Sequence, residues 1–381
     1  MIYLDNSATT PPYPEVLETY RIVSERFFAN PSSIHRLGGK SEDLLNKSRQ
    51  QAADLLGVKE NEVIFTSGGT EGNNFAIKGA ALKYRHRGQH LITTRVEHPA
   101  SRNAFEQLEA LGFEVTYLEV DENGRISVDD FKEALREDTL LVSIIHVNNE
   151  LGTIQPVKEI GKLLKSKPKT LFHVDHVQGL AKVPLNFKES GIDLCTVSGH
   201  KIHGPKGTGI LYVREGVSLE PLLAGGGQEF AQRSGTENLP AIAGMVKALR
   251  ITMEKSQKGI AQLESLNAKI REALESHPLV TIHSNAQESA PHILNATVKG
   301  IRAEVLIHAL EEEEIYISTK SACSSKDTGA SEILLACHIP EAVAKQAIRI
   351  SMSFENTEAE INTFIAAFKK KVGELEKVRE A

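Results

Sequence analysis

LLVSIIHV at residues 140–147, VKEIGKLLKS at 157–166 and LFHV at 171–174 are the stretches that decide the fold. The first and last are near-continuous apolar runs of strand length, and the segment between them has helical spacing. Strands that stay apolar on both faces and are separated by helices belong to a mostly parallel sheet covered on both sides. The same alternation extends outward in both directions. Upstream, Glu62-Val-Ile-Phe-Thr66 leads through a glycine-rich turn into the helical NNFAIKGAALKYRHRG (73–88), and His90-Leu-Ile-Thr-Thr94 precedes a helical stretch from Pro99 to Leu111. FEVTYLEV from Phe113 alternates as a strand does, and SVDDFKEALRE from Ser127 opens with a capping serine and acids in its first turn. Downstream, Asp193-Leu-Cys-Thr-Val197 is another buried strand, ending at SGHKIHGPKG (198–207). The fold class is α/β.

Beyond Thr236 the pattern changes. A long helical stretch, IAGMVKALRITMEKSQKGIAQLESLNAKIREALE, runs to the break at Ser276-His-Pro278. Two short strands follow, Leu279–His283 and Ile293–Val298, then the helix RAEVLIHALEEEE and an amphipathic tail helix from Glu358. The expectation is a large domain of residues 16–250 and a smaller α/β domain formed by 1–15 with 251–381, joined through the long helix. The run Glu311–Glu314 is expected to be a solvated helix end.

Composition bounds the function. The 381 residues carry 44 Lys plus Arg against 50 Asp plus Glu, a formal net charge of -6, which argues against direct nucleic-acid binding or an anionic membrane surface. The start, MIYLDNSATT, has neither basic nor apolar signal regions, and no stretch approaches the roughly 20 apolar residues of a membrane span. Three cysteines, Cys195, Cys323 and Cys337, fit thiols in a reducing cytoplasm better than a disulfide framework.

Lys201 is costly at the mouth of an apolar strand unless its amine is used. Asp175 closes the strand in HVDHVQ, and ligands of open α/β sheets collect at such carboxyl ends. A carboxylate there is either a helix cap or a partner for a cationic cofactor atom. An Asp and a Lys each closing a strand of one sheet is the arrangement expected for pyridoxal phosphate: the lysine forms a Schiff base and the acid keeps the pyridine nitrogen protonated. TSGGTEGNN (66–74) offers a glycine turn and a helix N-terminus to an anion, although a helix capped by Thr70 explains it equally well. It is not a Walker loop, since no Lys-Ser or Lys-Thr follows. Ser198 and His200 flank the lysine as phosphate donors, and His98 in VEHPA follows a further strand, where an imidazole can stack on a ring.

Taken together, YLDNSATTP, NPSSIHRLG, FTSGGTEGNN, VEHPA, HVNNELGTIQP, HVDHVQG, SGHKIHGPKG, GGGQEFAQRSGTEN, SACSS and IRISMSFENTEAEI resemble, in this order and over essentially the whole chain, the cysteine desulfurases of the NifS and IscS type. These are fold-type I pyridoxal-phosphate enzymes of the class V aminotransferase family. The resemblance implies that Lys201 binds the cofactor covalently, Asp175 pairs with the pyridine nitrogen and Gln178 bonds the ring hydroxyl. It implies that His98 stacks on the ring and takes part in proton transfer, and that Gly69, Thr70, Ser198 and His200 hold the phosphate. By the same resemblance Asn149 is expected to contact cofactor or substrate, and Arg349 to clamp the substrate carboxylate. Thr236 reaches the phosphate of a neighbouring subunit, which implies a homodimer with shared active sites. The resemblance also implies that Cys323 is the nucleophile that takes sulfur from L-cysteine and passes it as a persulfide to an acceptor protein in tRNA thiolation, iron–sulfur assembly or thiamine-type delivery. Leu151, His176 and Lys320 depart from the usual pattern, the last beside the reactive cysteine.

Local sequence separates two core thiols from a third that is either a reactive thiolate or an inert loop cysteine, and the resemblance favours the first. Cys195 lies inside a strand and Cys337 at an apolar helix end, both expected in the core. Cys323 stands among Ser, Ala and Lys, where a nearby cation favours thiolate. A selenocysteine lyase or cysteine-sulfinate desulfinase, and a non-catalytic sulfur-relay scaffold, remain alternatives at this level.

Overall fold

The computed structural model describes residues 1–320 and 329–380, the last three of these as backbone only. The chain opens with β1 (Ile2–Tyr3), α1 (Pro14–Arg26) and α2 (Arg36–Leu56). The alternating region follows as β2 (Val63–Thr66), α3 (Gly69–Lys83), β3 (His90–Thr94), α4 (Pro99–Ala110), β4 (Glu114–Leu118), α5 (Val128–Ala134), β5 (Thr139–Ile145), α6 (Val157–Leu164), β6 (Leu171–Asp175), β7 (Leu194–Ser198) and β8 (Gly209–Val213). Then come α7 (Leu239–Glu275), β9 (Val280–Ile282), β10 (Ile293–Val298), α8 (Ala303–Glu311), β11 (Ile315–Tyr316), α9 (Glu332–Ala336), α10 (Glu341–Ala344), β12 (Ala347–Ser351) and α11 (Glu358–Glu380).

Among the described residues, seven strands form one sheet in the order β2-β8-β7-β6-β5-β3-β4. β4, β3, β5, β6 and β7 are mutually parallel, while β8 runs against β7 and β2 against β8. Every residue of β5 and β6 is buried, which is why both read as unbroken apolar runs. Side chains alternate to opposite faces, so Val142, Ile144, Phe172 and Val174 enter one core with Phe131 and Tyr212. Leu141 and Leu171 enter the other with Phe75 and Phe105.

β4 is an edge strand and only its Leu118 is fully buried. Ser127 caps α5, its hydroxyl accepting from Asp129 N and Asp130 N.

A second, antiparallel sheet, β12-β10-β9, closes a separate core with Leu263, Leu266, Ile270, Ile348, Phe364 and Phe368. The 37-residue α7, roughly 55 Å long at 1.5 Å per residue, packs its first half on α1 and α2 and its second half near β9 and α11. Glu311 to Glu314 are exposed, as expected of a helix end. The N-terminal helices α1 and α2 lie outside the alternation legible in the sequence. Among the described residues no helix is long and apolar enough to cross a membrane.

Candidate active site

β3, β5, β6 and β7 point the same way, and two antiparallel pairings in succession turn β2 to point with them. Their carboxyl ends therefore meet at one edge of the sheet. The strand order reverses between β3 and β5, and a crevice forms at such a switch point. A cavity of about 130 Å3 lies there, lined by Gly69, Thr70, His98, Asn149, Asp175, Gln178, Ser198, His200, Lys201 and Arg349. Residues from five strand ends and from β12 thus converge. At one end the cavity adjoins a groove of about 470 Å3 lined by Ser67, Gly68, Gly69, Thr70, Ser198 and His200.

Each group is held by local chemistry. Asp175, the last residue of β6, accepts from Asn73 Nδ2 at 2.6 Å and from Val177 N at 3.0 Å, so its carboxylate is fixed in orientation. His98 is the N-cap of α4, and its Nδ1 accepts from Ala100 N at 3.1 Å, which leaves the neutral ring's proton on Nε2. Burial, with the nearby Lys201 and Arg102 charges, lowers the His98 pKa against the pull of Asp175. The imidazole is neutral at pH 7.

Lys201 ends a 3-10 turn, residues 199–201, whose first position admits only glycine: a Cβ on Gly199 would stand 2.2 Å from Thr208 Oγ1. The Lys201 amine donates to the carbonyls of Ser7 and Ala8, the latter at 2.7 Å. Thr10 ties the N-terminal segment to the same turn, its N–H donating to His200 O at 2.9 Å and its hydroxyl accepting from His203 N at 2.7 Å. His200 is pushed down to about 4 by burial and by Lys201, Lys206 and His98.

Arg349, on β12, is 1% exposed. Its Nη1 donates to Asn149 O at 2.9 Å and its Nη2 to Asp5 Oδ1 at 2.7 Å.

The cavity walls carry unused hydrogen-bonding capacity. Ser7 Oγ, Asn73 Oδ1, Gln178 Oε1, Ser198 Oγ and Arg349 Nε are buried and lack a hydrogen-bond partner, and all five residues line this one cavity. Buried polar atoms are nearly always satisfied, so a cluster of orphans marks a place built for a polar ligand. At the α3 end, a Cβ on Gly69 would approach Val177 Cγ2 to 3.1 Å, which keeps backbone amides accessible at a helix N-terminus. Anion donors at one end, a fixed carboxylate and a lysine amine suit a phosphorylated pyridine aldehyde.

The family model for aminotransferase class-V matches residues 2–364. The chain belongs to this family. Class-V aminotransferases are pyridoxal-phosphate enzymes, and the donor set above fits that cofactor. The chain is 50% identical to a NifS/IcsS protein homolog of Lactobacillus delbrueckii subsp. bulgaricus over 97% of its own length and 96% of that protein's. It is 42% identical to the cysteine desulfurase IscS of Methanosarcina thermophila, covering 95% and 89% of the two chains. A solved NifS-like protein superposes with a TM-score of 0.91 at 36% identity, covering 98% and 99%.

Two of the expected site residues are not tested by this cavity: Thr236, expected to serve a neighbouring subunit, is exposed on the loop before α7, and Cys323 lies outside the described residues. Cys195 and Cys337 are buried, and burial raises both thiols, Cys337 to about 12, so neither is a ready nucleophile.

Ser7, Ala8, Asn73, Ile145 and Val177 line the cavity without having been singled out in the sequence. Asn73 lies in the turn-and-helix motif that carries Gly69, and Ser7 in the opening YLDNSATTP, so both motifs pointed to the right neighbourhood without giving the contact.

Proposed function

We propose that the protein is a cysteine desulfurase, which converts L-cysteine to L-alanine and leaves the sulfur as a persulfide on Cys323. The observation that carries this is the single cavity in which Lys201, Asp175, His98 and a fully buried Arg349 meet. When bound, the cofactor supplies an electron sink for the carbanion at the substrate's α carbon. Lys201 would hold it covalently, Asp175 would face its ring nitrogen, Gln178 its ring hydroxyl, and His98 its ring face. Gly69, Thr70, Ser198 and His200 would surround its phosphate.

Arg349 would take the substrate carboxylate through its unpartnered Nε, with Asn149 beside it. Lys201 Nζ, released by the incoming amine, would remove the proton from the substrate's Cα. The neutral His98, bearing its proton on Nε2, would offer that N–H as a donor at the reacting centre without adding a positive charge there. The Cys323 thiolate would then attack the substrate sulfur: an S–S bond forms, the Cβ–S bond breaks, and Cβ takes up a proton. The balance is L-cysteine plus thiol to L-alanine plus persulfide.

The partner reading follows the same line. A second copy would bring Thr236 to this copy's phosphate end, which the exposure of Thr236 permits, and an acceptor protein in the cytoplasm would collect the sulfur. The division into a large part, 16–250, and a small part, 1–15 with 251–381, would let the Arg349 wall move against the Lys201 wall.

The test is Cys323→Ala. Alanine formation from cysteine is expected to vanish while the visible absorbance of the Lys201-bound cofactor stays. Undiminished turnover in this variant would refute the assignment.

A further inference from the structure

Glu71 sits in the first turn of α3, on the wall of the groove beside Gly69 and Thr70. Its Oε2 accepts from Ser67 N at 2.8 Å, which shapes the turn. The same bond places a carboxylate where a phosphate is to bind. Like charges on one groove wall oppose binding, and the Glu71 side chain is only 15% exposed, which limits screening by solvent. Arg233 meets this carboxylate with two bonds, Nε to Oε1 at 2.8 Å and Nη2 to Oε2 at 3.2 Å.

The delivery of Arg233 is unusual. Glu229, Phe230 and Ala231, none of them glycine, have φ of 46°, 58° and 58°. Side chains make this left-handed region unfavourable, and it persists only where the surroundings over-determine it. Here Glu229 is buried and held by Arg49 through two 2.7 Å bonds, and it accepts from Phe65 N at 2.8 Å. The Arg49 guanidinium lies between the rings of Phe65 and Phe230, at 4.9 and 5.0 Å. Phe65 belongs to β2, the strand that runs straight into the Ser67 turn. One anchor therefore sets both the turn and the loop that brings Arg233 to it. A separate sign of a ligand is Ser198 Oγ, buried without a partner and about 4 Å from where side chains on Gly68 and Gly69 would begin.

We propose that Arg233, delivered by the Glu229-anchored left-handed turn, is a positioning residue of the phosphate site: it neutralises Glu71, so that Glu71 can shape the Ser67–Thr70 turn without repelling a phosphate dianion. Burial pushes the Glu71 carboxyl up, but Arg233 and the Ser67 N–H outweigh it and hold the group ionised, so there is a charge to neutralise. The inference rests on the Ser67–Thr70 turn holding the cofactor's phosphate.

The test compares pyridoxal phosphate with unphosphorylated pyridoxal, each titrated into full-length protein stripped of cofactor. Arg233→Met is expected to weaken the phosphorylated form about tenfold and pyridoxal less than twofold. Glu71→Gln keeps an oxygen for Ser67 N, so the double variant E71Q/R233M should recover most of the loss. Glu229→Gln should show the same selective loss as R233M. Equal weakening of both ligands by R233M, or no recovery in the double variant, overturns the proposal. Unmodified protein that binds the two ligands equally well would instead remove the phosphate assignment on which it rests.

Discussion

Replacing Arg349 by Met should cut kcat/KM for cysteine by about 10²–10³, mostly through KM. The magnitude follows from where the guanidinium sits. It is 1% exposed, Asn149 O and Asp5 Oδ1 use Nη1 and Nη2, and Nε has no partner. A substrate carboxylate entering this cavity loses water and gains that N–H together with the positive charge. Removing one partner of a buried charged pair costs about 2–5 kcal/mol. The cavity of about 130 Å3 holds only a few waters, so solvent replaces little of what is lost, and about 3–4 kcal/mol is expected. Because the carboxylate is held alike in ground and transition states, the loss belongs in KM.

The fold should survive the change. Asp5 is one-fifth exposed and can be rehydrated, so the penalty is about 1–2 kcal/mol from the carbonyl left unpaired. Arg349→Lys, which keeps a charge without the planar fork, should fall between. The assay is alanine formation against cysteine concentration, with the cofactor's absorbance as a control. A kcat/KM within tenfold of the unmodified protein, or a loss confined to kcat, would refute the carboxylate role.

Three further outcomes are expected. Burial pushes His146, His173 and His203 down to about 4, 3 and 4, so the unfolded chain binds more protons below pH 6.5. Their contribution is complete above that pH and is lost as pH falls toward 4, at up to about 4 kcal/mol per pH unit for the three; urea midpoints that stay level from pH 7 to 5 would contradict it. In Gly72→Ala the new Cβ would stand 2.6 Å from Thr196 Cγ2, costing about 1–3 kcal/mol and loosening cofactor retention as α3 backs away from β7. Adding Thr196→Ser, which deletes that methyl and keeps the hydroxyl on His173, should restore both, and failure to do so would point to another cause. Burial, reinforced by Asp175, raises Glu97 to about 8, so its stabilising contribution is present below about pH 4.3 and is lost as pH rises toward 8. Glu97→Gln should gain on the unmodified protein between pH 5 and 8 in thermal melts, and a deficit at pH 8 would show the carboxylate to be ionised.

The central sheet was legible because β5, β6 and β7 are buried on both faces, so their sequences carry no polar alternation to obscure them. Lys201 and Asp175 were legible for the complementary reason, as charged residues at the ends of apolar runs. Strand direction was not. That β2 and β8 run antiparallel to their neighbours depends on pairings such as Val63 with Tyr212, and local composition does not encode a partner. Helix α2 was hidden because it buries polar side chains, Ser41, Ser48 and Arg49, on its inner face. The Arg49 partner, Glu229, is 180 residues away. The lacing of Ser7, Ala8 and Thr10 to the Lys201 turn is of the same kind: the motif is visible, the contact is not.

The histidines carry the same lesson into electrostatics. His146 and His176 touch through their Nδ1 atoms at 2.8 Å, His173 bridges Ser143 and Thr196, and His98 and His200 line the cavity. As letters they break apolar runs and suggest charge. Buried, all five are pushed below their ordinary value. The site needs this. Lys201 and Arg349 already bring two cationic groups to one cavity, against Asp175 and the bonded Asp5, so an added imidazolium would have no carboxylate left to balance it. Neutral imidazoles supply donors, acceptors and flat surface at the strand ends without adding charge. The positive potential is thereby kept for anions, which under the proposed function are a phosphate at the α3 end and a carboxylate at Arg349.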